Sequence, residues 1–415
     1  MNENLPEQRK KEAFFTKPLI IIYVTVFIDL VGFGIVIPLL PFYGETFHAS
    51  PFEVEMIFAI YSAMQFLFAP LLGSLSDKYG RRPILFLSLI GSGIGYLFIG
   101  YATVLWMVFA GRIIAGVTGG NISAAQAYIA DVTTRENRAK GMGIFGAMFG
   151  LGFVLGPAIG GILSRYGIHA PFLFAAALTF VNAIALYFFL PETRVQKTEP
   201  AEIKLSRFGD LMRAFEDRNF LLVTLLYFLV VTAFSIMTAS FTLYTMNRFG
   251  YDAEQNGYIF AYVGILAVIF QGFLFNKMVS KFGEPRLVAL GCLLLVGSLF
   301  AVPYIGPQSG GLIGLLVGVA FFSIGNALSS PALTSLASKL ADEDDQGKAL
   351  GTMQSAASLA RAIGPVIGGV LLNNSLNKVD DFTIQRTFWT ASAIMLVSLV
   401  VSIYFAKIAH DKLLV

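Results

Sequence analysis

Twelve long apolar runs are the feature that most restricts how this chain can fold. A helix that crosses a bilayer needs about 20 mostly apolar residues, and each run is close to that length or longer. Six runs precede a polar stretch at Pro191–Asn219, and six follow it. Only 13% of the residues are charged, against about 25% in soluble domains. We therefore predict an all-α membrane protein of twelve transmembrane helices in two six-helix bundles.

The polar stretches divide the chain into five parts. We predict an N-terminal tail at 1–17, a first bundle at 18–190, a linker at 191–219, a second bundle at 220–406 and a C-terminal tail at 407–415. The basic residues gather in short loops on one side, whereas the other side holds only Arg165, Arg248, Lys378 and Arg386. Because cytoplasmic loops carry the excess of Lys and Arg, both termini and the linker are predicted to be cytoplasmic.

Several classes of function are disfavoured by the composition. With three His and the single Cys292, the chain offers neither an intramolecular disulfide nor a credible metal cluster. It has no run with the phosphate-loop spacing that an ATP-driven pump would need. The net charge of +3 reflects the basic loops and does not indicate a nucleic-acid partner. We predict a protein that is not an enzyme and has no cofactor.

The two halves resemble each other at one constant offset. Lys140-x-x-Gly and the later Gly-Pro-x-Ile-Gly-Gly161 match Lys348-x-x-Gly and Gly-Pro-x-Ile-Gly-Gly369. More weakly, the loop 75–83 matches 278–286, where Ser280 and Glu284 replace Asp77 and Arg81. Internal repeats of this kind underlie transporters whose substrate site lies near the bilayer midplane, between the repeats.

Three ionisable residues, Asp29, Arg112 and Arg361, lie well inside apolar runs. A charge at mid-membrane costs about 2.5–3.5 kcal/mol on insertion scales, so each should face a cavity or a partner. Asp29 is a candidate proton carrier, because burial and a nearby arginine shift its protonation in opposite directions. A structural pair of Asp29 with an arginine is the alternative. Arg361 either binds an anionic group of a substrate or pairs elsewhere.

The rest of a central site is predicted to be apolar and aromatic, with few polar groups. Such a lining suits a small amphipathic molecule. Each candidate taken singly is better explained by packing or by contact with lipid, and the set as a whole carries the prediction. The candidates are Tyr61, Gln65, Tyr227, Phe234, Phe241, Tyr258, Tyr262, Asn326, Gln354 and Arg361.

Three segments resemble signatures of the major facilitator superfamily. The loop Gly73-Ser-Leu-Ser-Asp77-Lys-Tyr-Gly80-Arg81-Arg82 is similar to its loop 2–3 motif, and Gly156-Pro157-Ala-Ile-Gly160-Gly161 resembles its antiporter motif. The segment from Asp29 to Pro41 resembles the first span of twelve-span drug/proton antiporters, and of tetracycline efflux proteins in particular.

The resemblance implies the major facilitator fold and proton-coupled export of drug- or tetracycline-like compounds. It implies that Asp29 and Arg112 handle the proton, and that Asp77, Arg81 and Asp131 form a cytoplasmic latch in which Asp77 meets the start of span eleven. It also favours a monomer in a bacterial inner membrane, with a small molecule, protons and the bilayer as partners. The alternative is a transporter of a metabolite or lipid whose anionic group binds Arg361.

Overall fold

The computed structural model describes residues 15–193, 217–341 and 346–413. Within these ranges, 12 helices are long and apolar enough to cross a membrane, which confirms the predicted fold class. Most of the linker, with all of its basic residues except Arg218, lies outside the described residues. The helices are α1 Lys17–Thr46, α2 Pro51–Tyr79, α3 Arg81–Gly100, α4 Leu105–Val132, α5 Arg135–Ser164, α6 Ala170–Phe189, α7 Arg218–Phe249, α8 Ala253–Phe282, α9 Glu284–Ala301, α10 Gly311–Leu340, α11 Gln346–Leu372 and α12 Asp381–Leu413.

Two of these helices are irregular. In α4, the α-helical pieces Leu105–Val117 and Asn121–Val132 are separated by a Thr-Gly-Gly turn. In α8, a π-helical turn at Phe270–Leu274 interrupts the helix. Turns of the π type inside α-helices are frequent at functional sites, and this one lies beside the central cavity described below.

The repeat seen in the sequence is visible in how matching helices begin. Both α2 and α8 start with a capping box, formed by Ser50 with Glu53 and by Asp252 with Gln255. Each box satisfies two backbone groups that the first turn of a helix leaves without partners. The box therefore fixes a register at the start of these helices, in which residue n of α2 corresponds to residue n + 202 of α8.

The turns that follow α2 and α8 also match. Gly80 and Gly283 have φ of 105° and 75°, a region that residues with a side chain rarely adopt. Each glycine lets one helix end and the next begin at once. We call the end of the molecule that holds these turns the basic end, and the opposite end the outer end.

At the outer end, the two halves touch through α5 with α8 and through α2 with α11. A Cβ on Gly257 of α8 would lie 2.6 Å from the carbonyl oxygen of Pro157 in α5, so only glycine fits there. Gly369 of α11 packs in the same way on the first turn of α2, against Phe52. Small residues of this kind allow helices to approach closely.

Toward the basic end, glycines of the same helices have open space beside them. A Cβ on Gly143 or Gly146 of α5, on Gly272 of α8 or on Gly351 of α11 would meet nothing within 4 Å. Among the described residues, the closest glycine contacts between the halves therefore lie at the outer end.

Candidate functional site

A cluster of charged and aromatic groups occupies the middle of the first half. Arg112 of α4 is 3% exposed; its Nε donates to the carbonyl of Ile57 at 3.2 Å, and its guanidinium lies 4.1 Å from the ring centre of Tyr61. A cation over an aromatic face is attracted by the ring quadrupole, more strongly where water is excluded. The Arg112 charge is therefore held in place by Tyr61 and the α2 backbone.

Asp29 belongs to this cluster. It is half-buried, and its charge acts on the hydroxyls of both Tyr61 and Tyr96. Arg112 acts on the same two hydroxyls, and Arg361 of the second half acts on Tyr61. The three ionisable residues predicted inside the membrane therefore all lie within electrostatic range of Tyr61, and Asp29 is more accessible than Arg112.

A cavity of about 240 Å³ lies between the two halves, next to this cluster. Its walls are apolar and aromatic, and Phe234 stacks on Phe322 with ring centres 5.5 Å apart. Such a lining with a few polar groups is typical of sites for small organic molecules. The polar side chains around it are Thr238, Gln271, Ser323 and Asn326.

Phe33 connects the cavity to the charged cluster. Its ring centre lies 5.6 Å from that of Tyr61 and 5.8 Å from that of Phe153, which lines the cavity. A molecule in the cavity would thus be connected to Tyr61 of the charged cluster by a short path of aromatic contacts.

The candidate lining residues fall into three groups. Phe234, Phe241 and Asn326 line the cavity, and Tyr61 and Tyr227 lie within reach of the Arg361 charge. Gln65 is buried and donates to the carbonyl of Gly119 at 3.0 Å, where it supports the break in α4. Tyr262 packs on the core of the second half, and Gln354 is half-buried on α11.

Tyr258 lies elsewhere. It is 48% exposed, and its hydroxyl donates to Glu254 at 2.8 Å. Glu254 in turn pairs with Arg165 of α5, so this group bridges the halves at the outer end. The prediction that Tyr258 lines the central site does not match this position, because its hydroxyl is engaged by Glu254 at the contact with α5 and its ring is exposed.

The motif loop forms an ion-pair network at the basic end. The Arg81 side chain is 7% exposed; its Nε lies 3.1 Å from Oδ2 of Asp131, and its Nη1 lies 2.8 Å from Asp77. This places Arg81 and Asp131 together, as the resemblance implies. The start of α11 follows residues 342–345, which lie outside the described residues, so the implied contact of Asp77 with that segment stays a prediction.

Glu192 completes this network, and the sequence did not single it out. Its carboxylate accepts the backbone N–H groups of Arg81 and Arg82 at 2.9 and 3.0 Å. These are the unsatisfied donors at the start of α3, where a negative charge is favoured by the helix dipole. Gly73 and Gly80 are buried beside the loop, and Arg82 lies over the ring of Tyr187 at 5.0 Å.

The second half contains the same pair with its charges reversed. Glu284, at the position of Arg81, pairs with Lys339 at the end of α10 and accepts a hydrogen bond from Ser335 at 3.1 Å. Lys339 takes the place that Asp131 has in the first half. The position of the ion pair is therefore repeated in the second half, but the signs of its two charges are exchanged.

This reversal predicts how the first pair responds to substitution. Arg81→Glu places a third carboxylate beside Asp77 and Asp131, and we expect a loss of about 2–3 kcal/mol of stability, because breaking a buried pair leaves a charge without compensation. The triple variant Asp77→Ser, Arg81→Glu, Asp131→Lys copies Ser280, Glu284 and Lys339, and should recover most of that loss. Thermal unfolding of the purified variants measures both. A triple variant no more stable than Arg81→Glu alone would contradict the equivalence of the two pairs.

The antiporter motif lies where α5 is in closest contact with its neighbours. A Cβ on Gly156 would lie 2.7 Å from Cα of Gly34 in α1, and Gly161 packs on α8 across the inter-half contact. Pro157 contributes its ring to the cavity and its carbonyl to that contact, while Gly160 packs on Ile35. The motif thus joins the cavity wall to the closed outer end.

Comparison with known proteins gives the following matches. The family profile described as Major Facilitator Superfamily matches residues 22–343 and 309–413. Tetracycline resistance protein, class H, of Pasteurella multocida is 31% identical over 405 residues, covering 94% of this chain and 96% of its own length. Tetracycline resistance protein, class C, of Escherichia coli is 34% identical over 355 residues, covering 84% and 88%. Multidrug resistance protein 2 of Bacillus subtilis (strain 168) is 29% identical over 397 residues, covering 94% and 96%.

Two solved structures have the same fold. The human organic anion transporter MFSD10 (TETRAN) superposes with a TM-score of 0.71 at 25% identity, covering 93% of this chain and 99% of its own. The nucleoside transporter NupG superposes with a TM-score of 0.78 at 12% identity, with the same coverage; at that identity the likeness concerns the fold alone.

Proposed function

Because the chain belongs to the major facilitator superfamily, we propose that it exports small amphipathic compounds from the cytoplasm in exchange for protons, by alternating access. The observation that carries this proposal is a half-buried carboxyl, Asp29, within electrostatic range of Tyr61, which Phe33 connects to an apolar cavity between the halves. Relatives named for tetracycline and multidrug resistance cover most of the chain and support drug-like substrates.

The proposed cycle begins with the outer end closed. The cavity takes up substrate from the basic end, and the excess of Lys and Arg there supports the cytoplasmic side. An amphipathic molecule enters, displaces water from the aromatic walls and favours release of the Asp29 proton through its effect on Tyr61 and Arg112. The halves then close at the basic end and separate at the outer end, where substrate leaves and Asp29 takes up a proton.

The mechanism assigns separate tasks to the residues. Asp29 carries the proton, and Arg112 stabilises its ionised form through the shared environment of Tyr61. Arg81, Asp77 and Asp131 hold the α2–α3 turn as a unit that moves with the first half. Phe234, Phe322 and Asn326 provide the lining that contacts substrate. The protein works as a monomer, since all of these groups belong to one chain. Its proposed location is a bacterial inner membrane.

The proposal is tested by efflux from cells that express the protein. We expect a panel of tetracyclines and cationic dyes to contain exported compounds, and a protonophore to stop that export. Cells that express the Asp29→Asn variant are the matched control. Export of no member of the panel, or export that continues in full after the proton gradient is removed, would contradict the proposal.

A second candidate is the export of compounds with an anionic group. It is favoured by Arg361, which is partly exposed, donates to Ser358 at 3.1 Å and has its charge near Tyr61 and Tyr227. A relative of known structure is named as an organic anion transporter.

Arg361→Ala separates the two candidates. If Arg361 binds an anionic group, we expect the apparent affinity for anionic substrates to fall by about tenfold or more, which corresponds to about 1.4 kcal/mol, with cationic substrates unchanged. Competition by unlabelled compounds against one exported dye measures this difference. An equal loss for both charge classes would assign Arg361 a structural role.

A further inference from the structure

A buried acid at the outer end, Glu55, has no part in the mechanism above. It lies just over one turn into α2 and is 0% exposed. Its Oε1 is 2.6 Å from the hydroxyl of Ser240 in α7. Gly368 and Gly369 of α11 close over it: a Cβ on Gly369 would lie 2.9 Å from the Cβ of Glu55. Glu55 is therefore enclosed by the second half when the outer end is closed.

The other half shows that this crossing does not need an acid. Gly161 of α5 packs on Glu254 and Gly257 of α8, and its copy Gly369 of α11 packs on Phe52 and Glu55 of α2. With the register set by the two capping boxes, Glu55 corresponds to Gly257. Two glycines meet at one crossing, while at the other an ionisable side chain occupies the contact. Packing alone is satisfied by glycine, so the carboxyl has another reason to be there.

The surroundings of Glu55 give its carboxyl a single hydrogen-bond partner. Oε1 contacts the hydroxyl of Ser240, whereas Oε2 has no hydrogen-bond partner among the described residues although the side chain is fully buried. Burying an unpaired ion costs several kcal/mol, so an ionised Glu55 opposes closure of the outer end. A protonated Glu55 carries no charge and keeps its hydrogen bond with Ser240.

Charged groups of the neighbouring helices are engaged elsewhere. On α2, Glu53 forms the capping box with Ser50. On α7, the nearest charged residue in sequence is Arg248, which pairs with Asp381. On α11 it is Arg361, which donates to Ser358. On α4, Arg112 lies over Tyr61 and donates to the carbonyl of Ile57. On α12, Arg386 donates to the carbonyls of Leu371 and Asn373. Among the described residues, no cation therefore forms an ion pair with Glu55.

We propose that Glu55 is a second proton-binding site, loaded from the outer side, whose protonation is required for the outer end to close. This inference rests on the alternating access proposed above. When α11 separates from α2, water reaches Glu55 and the carboxyl ionises; closing then requires it to take up a proton. The proton returns to the outer side at the next opening, so Glu55 makes closure depend on external acidity and, unlike Asp29, does not carry a proton across the membrane.

The test follows the width of the outer end as pH changes. Spin labels on cysteines introduced at the exposed positions Thr46 and Leu376, in protein with Cys292→Ala, report the distance between the halves by pulsed electron resonance. The Asp29→Asn background removes the central proton site. We expect the short distance at low pH and a growing population of the long distance as pH rises, because ionised Glu55 favours the open outer end.

Two variants of Glu55 remove the titration in different ways. Glu55→Gln keeps the volume and the bond to Ser240, and Glu55→Gly copies Gly257. In both variants the distance between the labels should stay short at every pH. The control Glu53→Gln preserves the capping box, so its distance should change with pH as it does in the Asp29→Asn protein. A distance independent of pH with Glu55 present, or a pH response that survives both variants, overturns the proposal. The readout needs no substrate, so failure to export any compound would refute the proposed function and leave this result standing.

Discussion

Replacing Asp29 by Asn is expected to abolish uphill export and to leave downhill exchange of substrate in place. The asparagine keeps the size and most hydrogen bonds of the aspartate, but it cannot ionise, so the proton gradient no longer drives the cycle. Everted vesicles measure both activities: accumulation against a gradient should fall to the level of vesicles without the protein. Exchange of labelled for unlabelled substrate should persist.

The matched control for this substitution is Asp252→Asn at the outer end. Asp252 caps α8, and asparagine is an equally good cap, so that variant should transport normally. Uphill export that survives Asp29→Asn would assign the proton to another group. Loss of both uphill export and exchange would indicate that Asp29 is needed for the structure. That result would favour the alternative, in which Asp29 forms a structural pair with an arginine.

The second large effect is expected from Gly257→Leu at the inter-half contact. Its Cβ would lie 2.6 Å from the backbone oxygen of Pro157 and 2.9 Å from Cα of Gly161, and neither backbone atom can turn aside. The conflict exists only when the outer end is closed. We therefore expect the variant to fold, to hold its outer end open and to lose export almost completely.

The spin-label pair at Thr46 and Leu376 measures this outcome directly. Gly257→Leu should give the long distance throughout the pH range. The control is Gly297→Leu on α9, where a Cβ would meet nothing within 4 Å, and it should have normal distances and normal transport. A short distance in Gly257→Leu, or full export, would contradict the assignment of this crossing as the outer closure.

Much of the fold could be predicted because its main signals, the apolar runs and the repeat, lie along the sequence itself. The number of spans follows from apolar runs, and the pairing of the halves follows from the repeat that ends at Gly161 and Gly369. The resemblance to the major facilitator superfamily is confirmed by the family profile. Asp29 and Arg112 were recognisable because a charge in the middle of an apolar run is expensive and needs a reason.

The missed residues depend on contacts between distant parts of the chain. Glu55 lies near the start of its span, two residues from the capping Glu53, and looks like an interfacial acid; only α7 and α11 of the other half bury it. Glu192 acts on a helix start 111 residues away. Gln271 faces the cavity from a π-helical turn, although an amide in an apolar run is a signal of the kind that identified Asn326.

Helix α4 shows a different limit. A continuous helix would place five residues on one face, namely Arg112, Gly116, Gly119, Ser123 and Ala127. The structure breaks α4 after Val117, so the residues beyond the break follow a new register. Helical periodicity in the sequence could not predict the hydrogen bond from Gln65 to the carbonyl of Gly119, which stabilises this break.

Proton movement linked to substrate movement tests the central claim most directly. Purified protein in sealed liposomes with an acidic interior and an internal pH dye is given an exported compound from outside, and the fluorescence reports protons leaving the lumen. We expect each addition of substrate to cause proton release with the wild-type protein and none with Asp29→Asn. Substrate uptake into the liposomes without any proton release would contradict exchange of substrate for protons.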